Sequence, residues 1–295
     1  MGQAAVVGLL QITFALYLAG GLAGLWPGQW GGTRVGRGGT AGSTGRRRGD
    51  TGAAALISRR RVASRISHTL ALVAGITGAA AALSVLLVPG WRVDLTLPVQ
   101  LPLSTNTLSL DTLGAFFVLV ISLGSISAAL YAPSYLRSYE DHKPTGWLAA
   151  GYNLFVLSML LVVTARDLVF FLVAWELMST LSYLLVMTDH EQPAVRHAGF
   201  IYLVMTHAGT ALITAAFLIL ARAAGTADFA GLPAAAGGLT PAATSLASAA
   251  TSLSPALRNL VFFFLLAGFG TKAGLIPLHV WLPRAPPRPQ ATSPR

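Results

Sequence analysis

The sequence predicts an all-α polytopic membrane protein with about seven transmembrane helices. Three observations predict it. Of 295 residues, 54% are hydrophobic and only 10% charged, whereas an ordinary soluble domain carries about 25% charged residues. The apolar residues gather in seven stretches near the roughly 20 residues needed to cross the hydrocarbon core. The basic residues lie mostly between those stretches: nine of the eighteen arginines fall in residues 27–65. Such clustering reads as a topology signal rather than as a nucleic-acid footprint. Cysteine is absent, which excludes disulfides, thiolate-ligated zinc and Cys-ligated iron–sulfur clusters. No metal, cofactor or redox centre is expected in this chain.

Residues 4–26 form the first span. They lack a basic n-region and run too long for a signal-peptide core, so a retained helix is expected. Residues 27–65, rich in Gly, Arg and Thr, are expected to be a flexible cytoplasmic loop, which places the N-terminus outside. The second span is 66–88. Residues 89–107 alternate in part and hold three prolines, as an irregular hairpin on the outer face would. The third span, 108–130, opens with Asp111. A charged cytoplasmic link (Arg137, Glu140, Asp141, His142, Lys143) leads to the fourth span, 147–164.

The Arg166-Asp167 turn leads into the fifth span, within 165–187, and a second cytoplasmic link precedes the sixth, 198–221. An Ala/Gly/Pro/Ser/Thr-rich outer loop, 223–255, precedes the seventh, 257–282. In this arrangement fifteen Lys and Arg lie inside and four (Arg92, Arg166, Arg222 and Arg258) outside, in keeping with the positive-inside rule.

Two ionisable residues interrupt the apolar spans. Glu176 lies near the middle of the fifth, and Lys272 is the one lysine within any span. A charge at such a position costs roughly 2.5–3.5 kcal/mol on insertion scales, so it is read as functional until a structural partner accounts for it. An apolar medium disfavours the charged form of each group and mutual attraction favours it. The protonation of each therefore depends on its distance from the other, as a gated proton relay requires.

Glu176, Ser179, Thr180 and Tyr183 share a helical face, as do Thr206, Thr210 and Thr214 with His207 beside them. On the seventh helix Lys272 and His279 are seven residues apart and again share one face. The bland alternative for the Ser/Thr stripes is interhelical packing and hydrogen bonding, and for His207 a satisfied core position. Gly268, Gly270, Gly274 and Pro277 crowd around Lys272, as in a broken helix lining a cavity, although glycines also permit close helix packing.

The stretches L-V-F-F-L-V-A-W-E-L-M-S-T-L-S-Y-L-L-V and G-F-G-T-K-A-G-L-I-P-L-H-V-W-L-P resemble the antiporter-like, proton-conducting membrane subunits of respiratory complex I, Mrp-type antiporters and group 4 hydrogenases. The second is most similar to the B/C-type membrane subunit of hydrogenase-4 and formate hydrogenlyase. The resemblance runs from about Asp111 to Pro283 and does not extend to the basic first loop. It implies the N-terminal half of a fold of about fourteen helices, built as inverted repeats. Residues 1–107 would supply the first helices and residues 108–283 an incomplete proton-conducting repeat.

The resemblance further implies that Glu176 and Lys272 form the modulating pair of a half-channel; the polar helix faces add His279 and His207 as expected relay members. Ser179, Tyr183, Thr206 and Thr210 would be polar support. The chain would be a non-catalytic subunit in the plasma membrane, working with other membrane subunits and peripheral redox subunits, with no nucleic acid and no quinone site of its own. A Mrp-type cation/proton antiporter subunit and a non-conducting membrane anchor are the alternatives.

After W-L-P the family pattern continues with an acidic residue and A-H-P-A-A-P-S-H-V-S-A, whereas residues 284–295 read R-A-P-P-R-P-Q-A-T-S-P-R. Shifting the back-translated frame of the last six residues by one base permits P-S-H-V-S-A. The tail is therefore expected to reflect a single-base frameshift in the gene or its reading.

Overall fold

A computed structural model describes residues 2–25, 43–98, 101–102, 104–136, 145–229 and 253–279, with the backbone alone for 43–61. The elements are α1 (Gln3–Gly24), α2 (Ser43–Leu86), β1 (Val93–Thr96), β2 (Thr107–Leu110), α3 (Thr112–Leu136), α4 (Thr145–Thr164) and α5 (Leu168–Val186). A 3-10 turn (Met187–Asp189), α6 (Pro193–Ala224) and α7 (Pro255–Ala273) complete them. Among the described residues seven helices are long and apolar enough to cross a membrane, α2 through its part Val62–Leu86. The tail 284–295 lies outside the described residues.

The chain divides into two compact units, residues 1–93 with 110–163 and residues 94–109 with 164–295. In the first, α1 to α4 meet around Val6, Leu10 and Tyr17 of α1, Val118 of α3 and Val156 and Leu160 of α4. Helix α2 presents Ala71, Ala74, Ala81 and Ala82 to this core, and small side chains let spanning helices approach closely. Hydroxyls and an amide join the helices. Tyr17 donates to Ser125 at 2.8 Å, Ser67 to the Gly20 carbonyl at 2.8 Å, and Asn153 to Ser67 at 3.0 Å. Asp111 opens α3 by accepting from the Gly114 amide at 2.7 Å.

Several boundaries differ from the sequence reading: α3 runs to Leu136 rather than 130, with 107–110 a strand, and α6 begins at Pro193 rather than 198, while two further differences are larger. Helix α2 begins at Ser43, so the second half of the expected 27–65 loop is helical. Its Ala53-Ala54-Ala55-Leu56 run and its arginines are strong helix formers, and they extend the spanning helix outward. The seventh helix ends at Ala273 rather than near 282. Gly274 adopts a left-handed φ of 71°, closing the helix as a C-terminal glycine does, and Pro277 has no N–H with which to resume it.

In the second unit, Leu168, Ile213, Ala216, Phe217, Leu220 and Val261 are buried together. Phe171 stacks on Trp175 at 5.6 Å and meets Phe217 edge-on at 5.5 Å, while Trp175 meets Phe269 at 5.4 Å. This aromatic group fixes α5 against α6 and α7. The last two cross closely at Gly209 and Gly268: a Cβ on Gly268 would stand 2.5 Å from Ile213 Cγ1 and 2.8 Å from the Gly209 carbonyl.

At the start of α5, the fully buried Asp167 accepts from the Phe170 amide at 2.8 Å as the helix N-cap. Its other oxygen takes the Ser104 hydroxyl at 2.8 Å and the Thr105 amide and hydroxyl at 3.0 Å each. Arg166 beside it bridges Asp94 at 3.0 Å and Asp228 at 3.4 Å.

Candidate functional site: an intramembrane lysine among hydroxyls

The break after Ala273 puts Lys272 in the last turn of α7. Its side chain is half-buried and reaches across to α5 and α6. Nζ donates to the Tyr202 hydroxyl at 2.6 Å, to Ser182 Oγ at 3.3 Å and to Ser179 Oγ at 3.5 Å. Ser179 and Tyr202 are buried, and the hydroxyls of Ser182 and Tyr202 are hydrogen-bonded to each other. Because Ser179 and Ser182 are three residues apart, one face of α5 offers both to the lysine.

Glu176 lies one turn earlier on that face, and its ion pair is with His207 of α6, Oε2 to Nε2 at 3.6 Å. The His207 Nδ1 is 3.0 Å from the Leu203 carbonyl. A carbonyl only accepts, so Nδ1 carries a proton. The facing Nε2 then attracts the carboxylate only when it is protonated as well. Both side chains are open to the surroundings of this chain, 37% exposed for Glu176 and 53% for His207.

The other expected site residues are placed as follows. Thr206 and Thr210 spend their hydroxyls on their own helix, donating to the carbonyls of Tyr202 at 2.9 Å and Thr206 at 3.1 Å. The Tyr183 ring faces the α6 backbone at Gly199. Gly268 serves the α6–α7 crossing, the Gly270 carbonyl accepts the Leu275 amide at 3.0 Å, and Gly274 and Pro277 stand at the helix end. His279 lies beyond that end, so the two do not share a face of one helix. Its Nδ1 is buried without a hydrogen-bond partner among the described residues.

Ser182 and Tyr202 were missed by sequence reasoning. Each extends a stripe that was noticed: Ser182 follows Ser179 by three, and Tyr202 precedes Thr206 and Thr210 at four-residue intervals. Among the described residues no group of three or more His, Asp or Glu is placed to hold a metal ion.

Spanning helices that share a lysine among hydroxyls define a polytopic membrane protein with an intramembrane ionisable site. Its kinship narrows the class. Residues 165–293 match the family model described as NADH:quinone oxidoreductase/Mrp antiporter, TM. An uncharacterized protein of Mycobacterium tuberculosis (strain ATCC 25618 / H37Rv) is 41% identical over 197 residues, 66% of this chain and 27% of that protein. Hydrogenase-4 component B of Escherichia coli (strain K12) is 37% identical over 183 residues, 61% of this chain and 24% of that protein. A putative antiporter subunit mnhA2 of Staphylococcus aureus (strain MRSA252) is 29% identical over 243 residues, 81% of this chain and 28% of that protein.

The chain thus spans less than a third of the length of each of these relatives. The fold is similar to that in the Mrp complex from Dietzia sp. DQ12-45-1b, with a TM-score of 0.55 at 23% identity, covering 80% of this chain and 41% of that one. The family model and the named relatives place the chain among the antiporter-like membrane subunits of the complex I/Mrp family.

Proposed function

We propose that the chain is the proton-conducting portion of a plasma-membrane subunit in an assembly like hydrogenase-4 or NADH:quinone oxidoreductase. It would couple electron transfer in peripheral subunits to proton translocation through Glu176 and Lys272. The observation that supports this best is Lys272 itself: an ionisable amine held by hydroxyls of α5 and α6, on the face of α5 that also carries Glu176. Intramembrane acid and base groups with alternative partners are the parts from which proton relays are built. In this reading Lys272 carries the proton, Glu176 sets how firmly it is held, and His207 and His279 are further stations. The chain itself performs no redox step. Its partners are other membrane subunits and the redox subunits, and its N-terminus faces outside.

The test is proton uptake by inverted vesicles containing the assembled complex. Glu176→Gln and Lys272→Ala are expected to abolish uptake while the complex still assembles. Undiminished uptake in both variants would refute the relay and leave a membrane anchor. A cation/proton antiporter subunit is the second reading, favoured by the similarity of 81% of the chain to the putative antiporter subunit. It requires that cation efflux, rather than electron transfer, respond to the same substitutions.

A further inference from the structure

The arginines at the entrance of the second span have no part in the reading above. Helix α2 runs unbroken from Ser43 to Leu86, and its membrane-spanning part begins at Val62. Arg59, Arg60 and Arg61 stand immediately before that point and Arg65 three residues after it. At 1.5 Å per residue, all four lie within about 5 Å of the apolar boundary. The headgroup layer on each side of a bilayer is about 5–8 Å deep, so the three outer positions fall within it. Arg65 is exposed, and the long stem of an arginine carries its charge to the interface from one turn inside.

Four positive charges in seven residues repel one another. Arg61 and Arg65 are four apart on one helical face, where like charges destabilise a helix. The nearby chain offers no relief. Asp50 is the one acidic residue before Asp94, and it stands nine residues, about 14 Å, before Arg59. Among the described residues no ion pair includes Arg65. A topology signal requires only that basic residues lie on one side of the membrane. It does not require four of them at the mouth of a span without counter-charges.

We propose that Arg59, Arg60, Arg61 and Arg65 form a binding site for the phosphate headgroups of anionic phospholipids, which anchors α2 at a fixed depth. A phosphate accepts two parallel N–H bonds from a guanidinium, and the four-residue spacing puts Arg61 and Arg65 on one face for a shared headgroup. Attraction between basic residues and anionic lipid falls off within a Debye length, about 8 Å at physiological ionic strength. That length divides the arginines of α2. Arg46, Arg47 and Arg48 precede Val62 by 14 to 16 residues, about 21–24 Å along the axis, and contribute little. The site is separate from Glu176 and Lys272 and does not depend on the relay reading.

The full-length chain in detergent is titrated with phosphatidylglycerol and with zwitterionic phosphatidylcholine, and bound lipid is read by native mass spectrometry. Phosphatidylglycerol is expected to bind more tightly. Arg59→Gln, Arg60→Gln, Arg61→Gln and Arg65→Gln should each weaken it about fivefold. Glutamine is close to arginine as a helix former, so these variants keep α2. Combining Arg46→Gln, Arg47→Gln and Arg48→Gln should change the affinity by less than about twofold. Equal affinity for the two lipids, or a loss in the outer triple variant as large as in the inner ones, would overturn the proposal. Displacement of the lipid by millimolar inorganic phosphate or by RNA would overturn it too, leaving a site for a soluble anion instead.

Discussion

Asp167→Ala tests how α5 is anchored. The carboxylate is fully buried and accepts four hydrogen bonds, from the amides of Phe170 and Thr105 and the hydroxyls of Ser104 and Thr105. Loss of the N-cap costs about 1 kcal/mol. The Thr105 amide, left without its acceptor, adds about 1–3 kcal/mol, while the two hydroxyls can turn elsewhere. The sum is about 2–4 kcal/mol, reaching the upper end for a single substitution.

Asp167→Asn keeps the Oδ1 cap and the shape. At the other position it sets an amide donor against the Thr105 N–H, so about 2 kcal/mol is expected. Unfolding from mixed micelles by SDS titration, followed by far-UV circular dichroism, measures the difference. Hydrogen exchange at the Thr105 and Phe170 amides locates it. A loss under about 1 kcal/mol in the alanine variant, or unchanged protection of both amides, would refute the argument.

Two further substitutions probe packing and charge in the same unit. Gly268→Ala puts a Cβ 2.5 Å from Ile213 Cγ1 and 2.8 Å from the Gly209 carbonyl, so α7 must withdraw from α6. A loss of about 1–3 kcal/mol in the same SDS titration is expected, and a neutral result would mean that the crossing is looser than described. Arg166→Ala removes bridges to Asp94 and Asp228 whose side chains are 43% and 21% exposed. Exposed pairs contribute about 1 kcal/mol or less, so a small loss that shrinks further above about 0.5 M salt is expected; a large, salt-independent loss would contradict it.

Much of the architecture was legible in the chain because a bilayer makes length and apolarity decisive. Seven apolar stretches became seven spanning helices, and Asp111 opens the third as its position suggested. Helix ends were less legible, since they turn on local competition. The arginine-rich stretch before residue 66 reads as loop by composition, yet its alanines and arginines prolong α2 from Ser43. Beyond Lys272, apolar residues continue to 282, but the left-handed backbone at Gly274 ends α7 and separates His279 from the lysine's helix.

The sequence alone determined that an acid and a base lie within the spans, because their cost in an apolar medium marks them wherever the helices settle. Which partner each one takes was decided by tertiary structure. The close approach of α6 and α7 at Gly209 and Gly268, together with the rotation of α5 set by its aromatic face, brings Tyr202 and Ser182 to the lysine and His207 to the glutamate. No spacing along the chain encodes those pairings, because they depend on how one helix turns against another.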